Sequence, residues 1–168
     1  HTTSSLQGKI GGFSMLKGLN AIVTGSTSGI GLGIANVLAS KGANLVINGF
    51  GDAAAIEAER ANLEAKYGVK VVYSGADISK PADVKAMVEL CVSSFGSVDI
   101  LVNNAGIQYT ESVEAFPAER WDAIIAINLS GIFHAIQAAL PHMKAKGFGR
   151  IINIASVHGL IGSVHKVA

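Results

Sequence analysis

Thr24-Gly25-Ser26-Thr27-Ser28-Gly29-Ile30-Gly31 follows the apolar run Ala21-Ile22-Val23 without a break. A strand therefore feeds a glycine turn that opens a helix. Glycine lets backbone approach a ligand closely, and a helix N-terminus presents N–H groups that lack internal partners. The layout fits the pyrophosphate of a dinucleotide. The spacing is G-x-x-x-G-x-G. It is neither G-x-G-x-x-G nor a P-loop, because no Lys-Ser/Thr pair follows. In a chain with 20 glycines a triplet also fits an ordinary turn. A second cluster strengthens the reading: Asn103-Asn104-Ala105-Gly106 follows another apolar strand. Two amides, each both donor and acceptor, can tie neighbouring strands together, and the small residues leave space beside them. A third candidate is Ser156, just beyond a further apolar strand. Its hydroxyl can donate to a carbonyl or an alkoxide. No G-x-S-x-G elbow surrounds it, so the pattern does not indicate an acyl-transfer triad.

The elements that carry these clusters alternate. Strands are expected at Ala21–Val23, Asn44–Asn48, Val69–Tyr73, Val98–Val102 and Arg150–Ile154. Helical patterns lie between them: Ile30–Lys41 with Gly42 as its stop, and Asp52–Tyr67 with an Asp cap and Gly68 after it. A third opens at Ser79-Lys80-Pro81, with Ser79 as cap and Pro81 in the first turn. A fourth runs from Pro117 to Leu140 and stops at Pro141. Strands separated by such helices predict right-handed βαβ units, hence an α/β, Rossmann-like, doubly wound parallel sheet. Ligands in these sheets bind beyond the carboxyl ends of the strands, which is where all three clusters fall.

Other strand ends add candidates. After the second strand, Asn48-Gly49-Phe50-Gly51-Asp52 has no acid at the strand end itself and no Lys or Arg. A 2′-phosphate would find no cation there, which favours NAD over NADP. Asp52 falls late and can cap its helix; Phe50 can pack on an adenosine. Asp77-Ile78 follows the third strand, where Asp77 also suits a helix start. Asn128 lies among Ile124, Ile125, Ile127 and Leu129, and a buried amide there must be hydrogen-bonded.

Bulk properties set limits. A length of 168 residues, 49% hydrophobic content and 15% charged residues describe one globular domain with a proper core. A net charge of +1 without a basic cluster gives nucleic-acid binding no support. The single cysteine, Cys91, excludes an internal disulfide and reads as a small buried hydrophobe in a reducing, cytoplasmic compartment. Residues 1–14 are polar and glycine-rich, read as vector-derived or disordered, with Met15 as a native start; residues 15–168 form the dinucleotide-binding domain. The uncharged run Ala123 to Leu140 has the length of a membrane span, but Asn128, Ser130, His134 and Gln137 argue for a buried helix at a subunit interface. His134 and His142 lack partners at metal-ligand spacing, so no metal is expected.

Together, the glycine turn and Asn103-Asn104-Ala105-Gly106 resemble the short-chain dehydrogenase/reductase family. The resemblance covers Met15 to Ala168. It implies that Gly25, Thr27, Ser28, Gly29, Ile30 and Gly31 cradle the pyrophosphate of NAD. Phe50, Asp77 and Ile78 would meet its adenosine, with Asp77 on the adenine amino group. Asn104, Ala105 and Gly106 would line the nicotinamide ribose. Asn128 resembles the proton-relay Asn, and Ser156 the catalytic Ser. The family's Tyr-x-x-x-Lys segment, which carries the base, would fall immediately after Ala168. The chain is therefore expected to be part of a longer enzyme, incomplete on the C-terminal side of its sheet, with its fifth strand a free edge and no turnover on its own.

Several segments are similar to the family's bacterial D-3-hydroxybutyrate dehydrogenases: Asn103-Asn104-Ala105-Gly106-Ile107-Gln108, Phe133-His134, Leu140-Pro141-His142-Met143 and Arg150 to Leu160. That resemblance implies a small hydroxy-acid substrate whose carboxylate meets Gln108, His158 and Lys166, and a homo-oligomer, tetrameric in the family. The segment Val164-His165-Lys166-Val167 departs from the pattern. Alternatives are a 3-oxoacyl-carrier-protein reductase or another short-chain dehydrogenase. A non-catalytic dinucleotide-binding module is the reading from another class.

Overall fold

The computed structural model describes residues 15–156, 158, 160–162, 165, 166 and 168. The segment 1–14 lies outside the described residues. Five strands form one sheet: β1 (Asn20–Val23), β2 (Asn44–Asn48), β3 (Val71–Ser74), β4 (Ile100–Asn103) and β5 (Arg150–Asn153). All neighbours are parallel and the order is β3-β2-β1-β4-β5. The chain winds outward from β1 to β3, then returns to place β4 on the other side of β1. That reversal opens a crevice beyond the carboxyl ends of β1 and β4.

Helices cover both faces. On one, α1 (Gly29–Ser40) and α2 (Ala53–Tyr67) bring Ala35, Ala39 and Leu63 onto Ala21, Val23, Leu45, Ile47 and Val102. On the other, α3 (Pro81–Phe95) and α5 (Gly131–Lys146) set Val84, Met87, Val88, Ala135, Ala139 and Met143 against Ile22, Val46 and Leu101. Alternate strand residues thus serve two cores, which is why the strands read as continuous apolar runs. Asp52 caps α2, its Oδ2 accepting the Ala55 N–H at 2.9 Å, and Gly68 ends it in the left-handed region at φ 67°. Among the described residues β5 pairs only with β4, and Ile151 and Ile152 stay partly exposed.

Two expectations need correction. Ser79 does not cap α3: its hydroxyl donates to Asp77 Oδ1 at 2.6 Å, and the helix starts at Pro81 with Lys80 at the cap position. Pro141 does not stop the last helix, which continues to Lys146 and ends at left-handed Gly147. Packing of Met143, and a bond from Lys146 to Asp99, hold the turn beyond the proline. The run Ala123 to Leu140 lies in one continuous helical stretch, made of α4 (Ala118–Ile125), a π-helical turn over Ala126–Ser130 and α5, and within this chain only one stripe of it is buried. Gly131, Ala135, Ala139 and Met143 form its buried stripe, whereas Leu129 and Phe133 are 63% and 59% exposed. By length and composition Ala118–Lys146 could cross a membrane; the buried stripe instead packs on α3 and the sheet. Cys91 is fully buried and burial pushes its thiol up to about 12, so it is no nucleophile.

At the opposite end of the sheet from the crevice, Asp99 is fully buried. Its Oδ2 accepts from the Asn20 N–H at 2.8 Å and the Ser97 hydroxyl at 2.9 Å, and Lys146 Nζ pairs with Oδ1. The pair fastens the end of α5 under β1 and β4. Lys146→Met should lower stability in urea unfolding by about 1–3 kcal/mol, because the buried carboxylate loses its cation. An unchanged midpoint would show that Asp99 does not need it.

Candidate active site

Thr24 joins the two strand ends that border the crevice. It is 2% exposed, and its Oγ1 accepts from the N–H groups of Asn104 at 3.0 Å and Ala105 at 2.9 Å. Asn104 replies through Nδ2, which donates to the carbonyls of Thr24 at 3.1 Å and Gly25 at 3.0 Å. The glycine loop and the Asn-Ala-Gly loop are therefore one hydrogen-bonded body. Space there is tight. A Cβ at Gly31 would lie 2.1 Å from the Gly25 carbonyl oxygen and 2.5 Å from Asn104 Nδ2. A Cβ at Gly49 would lie 2.2 Å from Thr27 Oγ1. Gly25 and Gly29 have φ of 61° and 57°, the left-handed conformation that favours glycine.

Beyond this knot α1 begins. The Leu32 N–H donates to the Ser28 carbonyl at 3.2 Å, and the amides of Gly29, Ile30 and Gly31 have no partner among the described residues. They face the anion position that a helix N-terminus offers. The Gly25 N–H is not among these free donors, because it is bound to Asn48 Oδ1 at 3.1 Å. Gly25 thus contributes shape rather than an amide.

The crevice, about 340 Å³, is lined by Thr27, Ser28, Phe50, Asp77, Ile78, Asn104, Ala105 and Gly106 among others. Phe50 is 70% exposed at its rim. Asp77 Oδ1 accepts the hydroxyl and the N–H of Ser79, at 2.6 and 2.9 Å. Those bonds, with Lys80 nearby, hold its carboxyl below the usual carboxylate range. Oδ2 has Lys80 Nζ only at 3.9 Å and is left as an acceptor toward the crevice. Ile78 is 7% exposed and belongs to the core, where its Cγ2 meets the bare face of Gly131. These residues fit a dinucleotide: a cradle that one methyl would fill, free amides for a pyrophosphate, and an ionised acceptor further along. A larger cleft of about 500 Å³ lies between α3 and α5, lined only by helix residues including Lys85, Glu89 and His134.

The substrate-binding candidates lie on the segment after β4 and the segment after β5. Asn128 sits in the π-turn and is exposed, not buried among the aliphatics. Its amide grips one backbone unit: Oδ1 accepts the Ile107 N–H at 2.9 Å and Nδ2 donates to the Ile107 carbonyl at 2.8 Å. A π-turn is a frequent device where a helix must present a side chain to a site. Register pairs Asn103 with Asn153, so the segments that lead to Gly106 and Ser156 start from adjacent strand ends. The Ser156 hydroxyl accepts the His158 N–H at 3.2 Å, and His158 is exposed. Lys166 Nζ donates to Gln108 Oε1 at 3.1 Å, while the Glu111 N–H donates to the His165 carbonyl at 2.8 Å. Two of the three carboxylate candidates thus meet.

Thr24 and Asn48 also shape the crevice, and in the sequence their only signal is a polar residue at the end of an apolar strand. Gly31→Ala should destabilise the fold and abolish dinucleotide binding. Gly33→Ala, two residues on with nothing within 4 Å of the new methyl, should stabilise by about 0.5–1 kcal/mol. Thermal melts with and without NAD check the pair; equal effects would mean that the cradle is not tight.

Comparison with known proteins agrees with this geometry. The family model for short chain dehydrogenases matches residues 19–168. A D-beta-hydroxybutyrate dehydrogenase of Cupriavidus necator is 59% identical over 154 residues, 92% of this chain and 59% of that protein. One from Rhizobium meliloti is 51% identical, over 88% of this chain and 57% of its own length. A 3-oxoacyl-[acyl-carrier-protein] reductase of Staphylococcus aureus is 41% identical, over 86% and 58%. The chain therefore spans under two thirds of the length of these relatives. A crystal structure from Sinorhizobium meliloti 1021, assigned as a short-chain alcohol dehydrogenase, superposes with a TM-score of 0.86 at 31% identity, over 93% of this chain and 61% of that one. With the glycine cradle, the Thr24–Asn104 knot and the parallel sheet in place, this chain belongs to the short-chain dehydrogenase family.

Proposed function

We propose that the protein carrying this chain oxidises (R)-3-hydroxybutyrate to acetoacetate by hydride transfer to NAD. The observation that carries this reading is the meeting of Lys166 and Gln108 at 3.1 Å, on segments that leave the sheet beside the dinucleotide crevice. A cation and an amide donor together suit a small carboxylate. The names of the two D-beta-hydroxybutyrate dehydrogenase relatives support it. A carrier-protein reductase is the second reading, favoured by the Staphylococcus aureus relative. Against it stands the β2–α2 turn, Asn48 to Asp52, which offers no cation for a 2′-phosphate.

When bound, the nicotinamide supplies the hydride acceptor. The hydroxyl proton would leave to the tyrosine base that family resemblance places beyond Ala168, and this chain's own residues bind and orient. The free amides of Gly29 to Gly31 and the cradle at Gly31 hold the pyrophosphate, with Thr27 and Ser28 beside it. Asp77 accepts from the adenine amino group, and Phe50 covers the adenosine at the rim. Asn104, Ala105 and Gly106 line the ribose. The Ser156 hydroxyl donates to the reacting oxygen and orients it. Asn128 fixes the Ile107 backbone beside that oxygen and anchors the proton relay. Gln108, His158 and Lys166 hold the carboxylate. The exposed face of Leu129 and Phe133 supports a homo-oligomer, a tetramer by family resemblance, and the lone buried thiol fits a cytoplasmic enzyme.

The test is a turnover assay of the full-length protein with (R)-3-hydroxybutyrate and NAD. Ser156→Ala should cut kcat about 100-fold with NAD affinity unchanged. Lys166→Ala or Gln108→Ala should raise KM for the hydroxy acid about tenfold. Turnover only with NADP and carrier-bound substrates would refute the assignment. A separate check concerns Asp77. Its folded pKa is depressed, so its contribution is complete above the ordinary carboxylate value and is lost as pH falls through the lower one. NAD affinity should therefore hold steady on acidification to about pH 5, while Asp77→Asn, which turns a donor toward the adenine amino group, should weaken it about tenfold at all these pH values. An Asp77→Asn protein that binds NAD normally would remove the contact.

A further inference from the structure

Asn48, the last residue of β2, is 1% exposed, and all of its polar groups are engaged. Its Oδ1 accepts the Gly25 N–H at 3.1 Å. Its Nδ2 donates to the carbonyls of Ser74 and Ala76, both at 3.0 Å. Its N–H donates to the Ser26 hydroxyl at 3.0 Å, and its carbonyl accepts the Ser26 N–H at 2.6 Å. One planar amide therefore spans three segments that are remote in sequence. These are the glycine loop after β1, the end of β2, and the Ser74–Ala76 stretch that leads into Asp77.

We infer that Asn48 is a positioning residue of the cofactor site, setting the spacing between the amides that receive the pyrophosphate and the carboxylate that receives the adenine. The inference rests on the dinucleotide reading given above. The two ends of such a ligand are held on different loops, so its affinity depends on their separation. Asn48 is placed to fix that separation from inside the protein without touching the ligand. Only an amide of this length serves. It must accept from one N–H and donate to two carbonyls at once. Aspartate has the same shape but no donor, and would bury a charge beside two carbonyl oxygens and near the pyrophosphate. Leucine would leave three buried backbone groups unpaired. Tyr73 reinforces the same junction, its hydroxyl donating to the Gly49 carbonyl at 2.6 Å.

The experiment uses the full-length enzyme with Asn48→Asp, and Asn48→Ser as a milder second variant that keeps one donor. NAD affinity, kcat at saturating NAD and KM for the hydroxy acid are measured, with hydrogen exchange at the Gly25 amide of the wild type. A positioning role predicts NAD binding weakened about 10- to 100-fold in Asn48→Asp and less in Asn48→Ser. In both, kcat at saturating NAD should stay within about twofold, with KM for the hydroxy acid unchanged. A merely structural residue would instead lower the melting temperature and the active fraction, leaving the NAD affinity of folded molecules as it was; that result overturns the inference. Should Asn48→Asp fail to fold, Asn48→Ser carries the binding comparison. Gly25 must also exchange slowly without cofactor; exchange at the rate of an open loop overturns the clamp. A wild type that binds no NAD would refute the functional reading instead, and the clamp would then be judged on Gly25 protection alone.

Discussion

The carboxyl ends of β1 and β4 run out of strand partners before they reach solvent, and the backbone groups left there must still be hydrogen-bonded. Thr24 and Asn104 meet that demand reciprocally: a hydroxyl accepts two amides of one loop, and an amide donates to two carbonyls of the other. The crevice follows from this. With the loops locked, backbone packs so closely around Gly31 that no side chain fits, and the first turn of α1 keeps its amides free. A site for an anion is the residue of a packing problem solved with buried polar groups rather than with bulk.

The two halves of the site are held differently. The crevice proposed for the cofactor rests on long-range bonds between buried or half-buried residues at the ends of four neighbouring strands. The segments proposed to meet the substrate are exposed: Asn128 bonds the Ile107 backbone, Lys166 bonds Gln108, and the Glu111 N–H bonds the His165 carbonyl. Exposed hydrogen bonds of this kind open more readily than buried ones.

What the sequence made legible was local. The glycine spacing after an apolar run, the Asp cap and glycine stop of α2, and the alternation of strands with helices all act within a few residues, and the structure contains them. The parallel sheet followed from that alternation. What stayed hidden depended on partners far along the chain. Thr24 bonds to residues about 80 positions away, and Asn48 to Gly25 and Ser74, separations that leave no local pattern. Pro141 reads as a stop because a local rule says so; tertiary contacts at Met143 and Lys146 override it. Ser79 reads as a cap, but Asp77 takes its hydroxyl first. The aliphatic neighbours of Asn128 leave two readings open, a satisfied core amide or a proton-relay residue, and the structure places it exposed in the π-turn.

The proposed function requires the dinucleotide to sit at the strand ends beside Gly31 and Asn104. The most direct measurement is an isotope-edited amide spectrum of the protein titrated with NAD. The account predicts shifts at Gly29, Ile30, Gly31, Ala105 and Gly106, with none at Lys85, Glu89 or His134 in the larger cleft between α3 and α5. Shifts confined to that cleft, with the glycine loop unmoved, would contradict it.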